Sequence, residues 1–471
     1  MMNTRALFES AVYLLLSFAV TASAATPPWA RAILCAMAFL VFAVFLVIPK
    51  RNWATAAHRR PSAVVTGLLL LIPLLQLVPL PAGLLKVVSP VHAEFIGQLI
   101  AKDYLTPGWN HRLTSIHPYN TLEHLLLLLA VLCIFWMARR IFTTPEARRR
   151  LFVFLVALGL LQALLGLLQY FGVLPLFFPA RDHYEAIVAS GTYVNRNHFA
   201  GLLEMVIPLL LGFTYYFYLT HIRPDIPWVP RRRKILYAHP LFPVLLLLMF
   251  LGLLLCLGII FSMSRTGIFC MLATLFFLGL IISMRHGRRR VQMLVFLFML
   301  GVVCYAAWIG LDPVIERFDQ LLLADTMHSI QRIPVWQDSW KMILDFPWLG
   351  VGLGNYEFAF YAYNSLPLSV IYNHAHNDYL EYAADLGIPG ALLLFGAIVL
   401  LLGYGLRVFF RHANPTDSMM ALGVSGAIFS ILTHSFTDFN LQIPANMVVF
   451  AVLLAVLSSV HPQNTNEPVP E

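Results

Sequence analysis

Of the 471 residues, 59% are hydrophobic and only 11% are charged, with a mean hydropathy of +0.76. A water-soluble globular chain carries about a quarter charged residues, so that class is excluded and the apolar runs are counted as membrane spans. The net charge of +8 does not point to nucleic acid, because the arginines lie in separate clusters between apolar runs rather than in one aromatic-lined groove.

A transmembrane helix needs about 20 mainly apolar residues. Such runs fall near 9–24, 32–48, 63–80, 121–138, 151–173, 199–219, 241–262, 268–284, 292–310, 389–406, 419–435 and 443–460. They predict an all-α integral membrane fold of about 12 transmembrane helices. The first run also has the look of a secretory signal, with Arg5 before it and Ala22-Ser23-Ala24-Ala25 after it, but an uncleaved span is preferred. The chain divides into N-terminal spans (1–174), a core (175–462) containing the long loop 311–388, and a polar tail (463–471).

Basic residues collect on the cytoplasmic side of short connections. Lys50-Arg51 with Arg59-Arg60, Arg139-Arg140 with Arg148-Arg149-Arg150, Arg231-Arg232-Arg233-Lys234, and Arg285 with Arg288-Arg289-Arg290 follow alternate spans. With Arg5, Arg223, Arg407 and Arg411 they make about two thirds of the 31 basic residues. Both termini are therefore expected in the cytoplasm, with 82–120, 175–198, 263–267, 311–388 and 436–442 outside. All five cysteines fall in apolar spans, so neither a disulfide framework nor a zinc framework is expected.

The outer segments carry the chemistry. Arg196 sits at the mouth of a span in Thr192-Tyr193-Val194-Asn195-Arg196-Asn197-His198-Phe199, and Arg265 sits in the short connection Ser264-Arg265-Thr266-Gly267. An arginine at the membrane edge either snorkels to headgroups or meets an anion, and guanidinium suits a phosphate in bidentate fashion. In loop 311–388, Ile333, Trp336, Trp340 and Ile343/Leu344 recur at helical spacing, with Arg332, Asp338 and Lys341 on other faces. This predicts an amphipathic helix lying in the interface. The run Gly350-Val351-Gly352-Leu353-Gly354 reads as a turn close to a helix, because it lacks dinucleotide-fingerprint spacing.

Next comes Tyr372-Asn373-His374-Ala375-His376-Asn377-Asp378-Tyr379-Leu380-Glu381. His374 and His376 are placed across a helix start, with Asn373 as a plausible cap. A metal site from His374, His376 and Asp378 lacks an obvious further ligand. A general base is easier to support, since one imidazole titrating near neutrality can deprotonate a hydroxyl. Arg196, Arg265 and Arg332 on the same side make an anionic substrate, such as a lipid-linked pyrophosphate, the better account of the set.

His376-Asn377, nine residues and then Gly387-Ile388-Pro389-Gly390 resemble the histidine signature of the bacterial O-antigen ligases. Asn195 to Phe199, Ser264 to Gly267 and Arg332 through Trp336 to Gly352 extend a resemblance to the O-antigen ligase and polymerase superfamily over about residues 190 to 440. The resemblance implies a helical fold of the GT-C type in the bacterial inner membrane. It also implies a donor glycan on undecaprenyl pyrophosphate and inverting transfer to an acceptor hydroxyl at the periplasmic face, with no metal or other cofactor. By motif position His376 is the implied base and Arg196 and Arg265 the implied pyrophosphate clamp. Arg332, His374, Asn377 and His198 are implied binding residues. The alternatives are a polymerase of the same superfamily, a lipid-oligosaccharide transporter and an envelope scaffold. A transporter would carry ionisable residues near the midplane, whereas here the spans are nearly free of charge, with Glu123 and Glu204 read as close to span ends.

Overall fold

The computed structural model describes residues 4–48, 60–102, 112–174, 188–223, 239–286, 293, 332–365, 372–411 and 414–460, and every regular element among them is helical. In chain order these are α1 (Thr4–Thr21), α2 (Pro28–Val47), α3 (Arg60–Gln76), α4 (Ala82–Val88), α5 (Pro90–Ala101), α6 (Pro118–Ile141) and α7 (Pro145–Tyr170). There follow α8 (Arg196–Phe217), α9 (Phe242–Phe261), α10 (Arg265–His286), α11 (332–345), α12 (Tyr356–Phe360), α13 (Asp378–Arg411), α14 (Pro415–His434) and α15 (Pro444–Ser459).

Among the described residues, nine helices are long and apolar enough to cross a membrane: α1, α2, α6, α7, α8, α9, α10, α13 and α14. The apolar stretches of α3 and α15 are shorter. At 1.5 Å per residue, 16 residues rise about 24 Å, less than the roughly 30 Å of a hydrocarbon layer. Of the dozen expected spans, nine correspond to full-length helices and two to shorter ones, and all but residue 293 of the expected span at 292–310 lies outside the described residues.

The bundle has two chemically distinct ends. At one, Arg148 of α7 is buried against Asp417 of α14 and donates through Nε to the Phe142 carbonyl (3.1 Å). There too Arg5 donates to the Ile141 carbonyl, and Arg150 pairs with Glu9 at 2.7 Å. Because α14 starts here, its last residue, His434, lies at the opposite end, where α8 starts.

The hub is α14, the most deeply buried of these nine helices, whereas α2 is the least buried. Small residues let it approach α8 closely, the usual device where lipid offers no hydrophobic drive between helices. A Cβ on Gly212 would lie 2.9 Å from the Met419 carbonyl oxygen, and one on Gly426 only 2.7 Å from Pro208 Cβ. Within this seam Glu204 corrects the expectation of a residue near its span end, because it sits more than two turns into α8. Its carboxylate accepts from Ser430 Oγ (2.9 Å) and from His434 Nδ1 (3.0 Å), with both side chains of the pair fully enclosed.

The long loop is fastened to the bundle. Val335, Met342 and Ile343 of α11 join Phe346, Tyr356 and Phe360 in a second small core, while Ile333, Trp340, Leu344 and Trp348 stay exposed. The helix expected to lie in the interface thus has one face on protein and an apolar face outward. Gly350, Gly352 and Gly354 have φ of +70°, +110° and +78°, the left-handed region that glycine enters freely. Side chains would collide there with α13 and α6: a Cβ on Gly352 would lie 2.7 Å from Thr121 Oγ1. The run is a turn close to a helix. It is pinned by Val351 N–H to the Ala384 carbonyl (2.8 Å), Gly354 N–H to Asp385 Oδ2 (2.7 Å), and Leu353 N–H to Gln76 Oε1 (2.9 Å).

Candidate active site

At the end of the bundle opposite Arg148, the turn joining α14 to α15 meets the segment leading into α13. The turn is wound by Thr437 N–H (2.9 Å) and Asp438 N–H (3.1 Å), both donating to the His434 carbonyl. Its registry against α13 is fixed by Asp378 N–H to the Ser435 carbonyl (2.9 Å) and by Ser435 Oγ to Asp378 Oδ2 (2.7 Å). Asn377 Oδ1 accepts from Leu380 N–H (3.1 Å) and Asn377 Nδ2 donates to the Phe436 carbonyl (3.1 Å). Asn377, not Asn373, therefore caps α13, and both histidines precede the helix instead of straddling its start.

His376 is held at φ +49°, a conformation that a non-glycine residue keeps only where its surroundings fix it. Its Nδ1 lies 3.3 Å from Asp438 Oδ1, with about a third of the imidazole exposed (36%) and the carboxylate buried. Asp438 Oδ2 accepts from Asn197 Nδ2 (2.7 Å), Oδ1 accepts from Phe439 N–H (2.9 Å), and His198 Nε2 is 3.9 Å from Oδ1. Burial alone would raise the Asp438 carboxyl, but His376 and His198 outweigh it and hold the group well below the ordinary carboxylate range. An ionised Asp438 fixes the His376 proton on Nδ1 and leaves Nε2 as the acceptor, the orienting arrangement that a general base requires.

Phe439 gathers the imidazoles. His374 stacks on it at 3.8 Å, and His376 and His198 meet it edge-on at 5.0 and 4.6 Å. His374 Nδ1 also lies 2.7 Å from Glu381 Oε1, while the other oxygen of Glu381 accepts from Ala375 N–H (2.9 Å). Burial would lower His374, yet Glu381 prevails and holds it above its ordinary value.

The motif around Arg196 divides its labour. Asn195 caps α8 by accepting from Asn197 N–H (2.8 Å), Asn197 and His198 reach Asp438, and Arg196 is the first helical residue. Arg265 likewise opens α10, where Ser264 Oγ accepts from Gly267 N–H (3.1 Å). The adjacent Thr266 is tied to the Asp438 turn by Thr437 Oγ1 at 3.2 Å. Arg332 lies one turn from Trp336, whose indole donates to the Ala375 carbonyl (3.0 Å). The structure thus gathers His198, His374, His376 and Asn377 around Asp438 and Phe439. It sets Arg196 and Arg265 on adjoining helix starts, and it carries Arg332 on the helix tied over the histidine segment.

Sequence reasoning singled out neither Asp438, Phe439 nor Glu381 as a site residue. The available signal for the first two was the polar run Ser435 to Asn440 between two apolar spans. The metal alternative finds its three candidates turned to different partners: His374 to Glu381, His376 to Asp438 and Asp378 to Ser435. Among the described residues, the grouping of nitrogen, sulfur and carboxylate ligand atoms within 4.8 Å of one another is instead Glu204, Cys270 and His434. Both Glu204 oxygens are already engaged there by Ser430 and His434.

Below the turn lies an apolar cavity of about 400 Å³ between α3, α6, α13 and α15, lined by Leu69, Leu128, Phe135, Ile398, Leu441 and Met447. It reaches the turn at Leu441, whose carbonyl accepts from Tyr382 (3.0 Å).

Residues 247–395 match the protein-family model described as O-antigen ligase. A search of curated proteins finds no match to the chain. The matched stretch contains Arg265, Arg332, His374, His376 and Asn377, whereas Arg196, His198 and Asp438 come from outside it.

Proposed function

We propose, taking the O-antigen ligase match as the premise, that the chain transfers a glycan from a lipid-linked pyrophosphate to an acceptor hydroxyl at the outer face of the bacterial inner membrane. The observation that carries this reading is the His376–Asp438 pair, flanked by helix starts bearing Arg196 and Arg265. His376 Nε2 takes the proton as the acceptor oxygen attacks the anomeric carbon. The bond from that carbon to the pyrophosphate oxygen breaks with inversion, and the departing charge falls to the arginines as electrostatic stabilisation. The donor is undecaprenyl pyrophosphate with its glycan, and the apolar cavity suits its tail. No metal or nucleotide sugar enters the step, and the fold is read as GT-C-like.

The acceptor is lipid A-core for a ligase and a second lipid-linked repeat for a polymerase. The test offers both to purified protein with undecaprenyl-pyrophosphate glycan, and the species extended names the reaction. Arg196→Ala and Arg265→Ala are each expected to lower transfer by about 10²-fold or more, with membrane insertion intact. Wild-type-like transfer by both variants would overturn the pyrophosphate clamp. A lipid-linked oligosaccharide crossing the bilayer with no product formed would favour the transporter.

A further inference from the structure

The proposed mechanism uses two arginines and His376, and it leaves His374 unexplained. That imidazole is built into a specific place. Glu381, whose side chain is 3% exposed, meets its Nδ1 at 2.7 Å, and about a third of the His374 side chain (34%) stays open. The ring lies nearly parallel to Phe439, 14° between planes and 3.8 Å between centroids, the arrangement in which an aromatic face favours a cation. The Glu204–His434 pair is a useful contrast: it has the same chemistry but is wholly enclosed, so it has nothing to offer a ligand.

We propose that His374 is a third cation of the site, an imidazolium held by Glu381 and stacked on Phe439 that offers its remaining ring N–H to the pyrophosphate of the donor. This rests on the lipid-pyrophosphate reading above and adds to it a pH dependence of donor binding. The charged and titratable groups around His374 are Glu381, Asp378 and Asp385 from α13, Asp438 from the turn, His198 from α8, His124 from α6 and, from its own segment, His376, which meets the same Phe439 ring. Glu381 is the one in direct contact. A histidine held above its ordinary value is charged in the lower pH range and loses its proton as pH rises through the raised value, so donor binding weakens in that direction.

The experiment measures binding of undecaprenyl pyrophosphate to the full chain in nanodiscs of a zwitterionic lipid, between about pH 6 and pH 9. Wild type is expected to lose about tenfold in affinity across that window, as the charge-assisted bond goes. His374→Gln should be weak and flat across pH by comparison, His374→Lys tight throughout, and Glu381→Gln should lose affinity at lower pH than wild type. The same pH dependence in His374→Gln as in wild type overturns the proposal while leaving the donor reading intact. A wild-type protein that fails to bind undecaprenyl pyrophosphate at any pH, while phospholipid content and folding are normal, overturns both.

Discussion

Asp438 determines what His376 is able to do. A partly exposed imidazole alone is a weak pointer to catalysis, but one whose Nδ1 faces a buried, ionised carboxylate at 3.3 Å has a fixed tautomer and orientation. Asp438→Asn keeps the shape of the turn and removes the charge, so transfer should fall by about 10²-fold or more while the detergent-solubilised protein still elutes as a folded species. Transfer at the wild-type rate would assign Asp438 to packing alone. His376 and Asn377 were legible because they stand in one run of polar residues. Asp438 was not, because its link to His376 spans 62 residues and no spacing rule relates two loops that only packing brings together. His374 was legible as a candidate, but its partner Glu381 had first to be seen one turn into α13, with its carboxylate folded back on the preceding segment.

Among the elements, the seam between α8 and α14 sets the site, since α8 carries Asn197 and His198 and α14 ends in the turn holding Asp438. The enclosed Glu204–His434 pair lies in that seam, and breaking a buried pair by removing one partner costs about 3–5 kcal/mol, whereas replacing both by apolar residues is often nearly neutral. Glu204→Leu is therefore expected to lower the thermal midpoint in detergent markedly, and Glu204→Leu with His434→Leu to recover most of it. A double variant as unstable as the sum of the two singles would contradict this. Hydropathy made the helices legible, because a span must be apolar along its whole length. It marked only the part of α13 beyond the bend at Gly387 (φ +74°, ψ +168°), whereas the helix begins at Asp378. Its first turns are polar, since they face α11, the glycine run and the Asp438 turn rather than lipid.

For the whole molecule, the described Arg5, Arg148 and Arg150 lie at the end of the bundle opposite the histidine site, and the expectation from the arginine pattern is that this end faces the cytoplasm. An added thiol at exposed Asn373 should react with a membrane-impermeant maleimide in intact cells stripped of outer membrane, and one at exposed Arg149 only after permeabilisation. The reverse pattern would invert the topology. The outward stripe of Ile333, Trp340, Leu344 and Trp348 fits an interfacial position, since tryptophan gathers at the membrane–water boundary. The sequence grouped Ile333, Trp336, Trp340 and Ile343/Leu344 on one face; Ile333, Trp340 and Leu344 do point outward, whereas Ile343 joins Val335 and Met342 in sealing the other face to a separate core, a division set by the tertiary partners Tyr356 and Phe360. The central claim is that this end of the bundle transfers glycan with His376 as base. Its most direct test is transfer from undecaprenyl-pyrophosphate glycan by purified, chelator-treated wild type and His376→Ala. Full activity is expected in the wild type and a loss of about 10²- to 10⁴-fold in the variant. Retained transfer by His376→Ala, or wild-type activity abolished by the chelator, would contradict it.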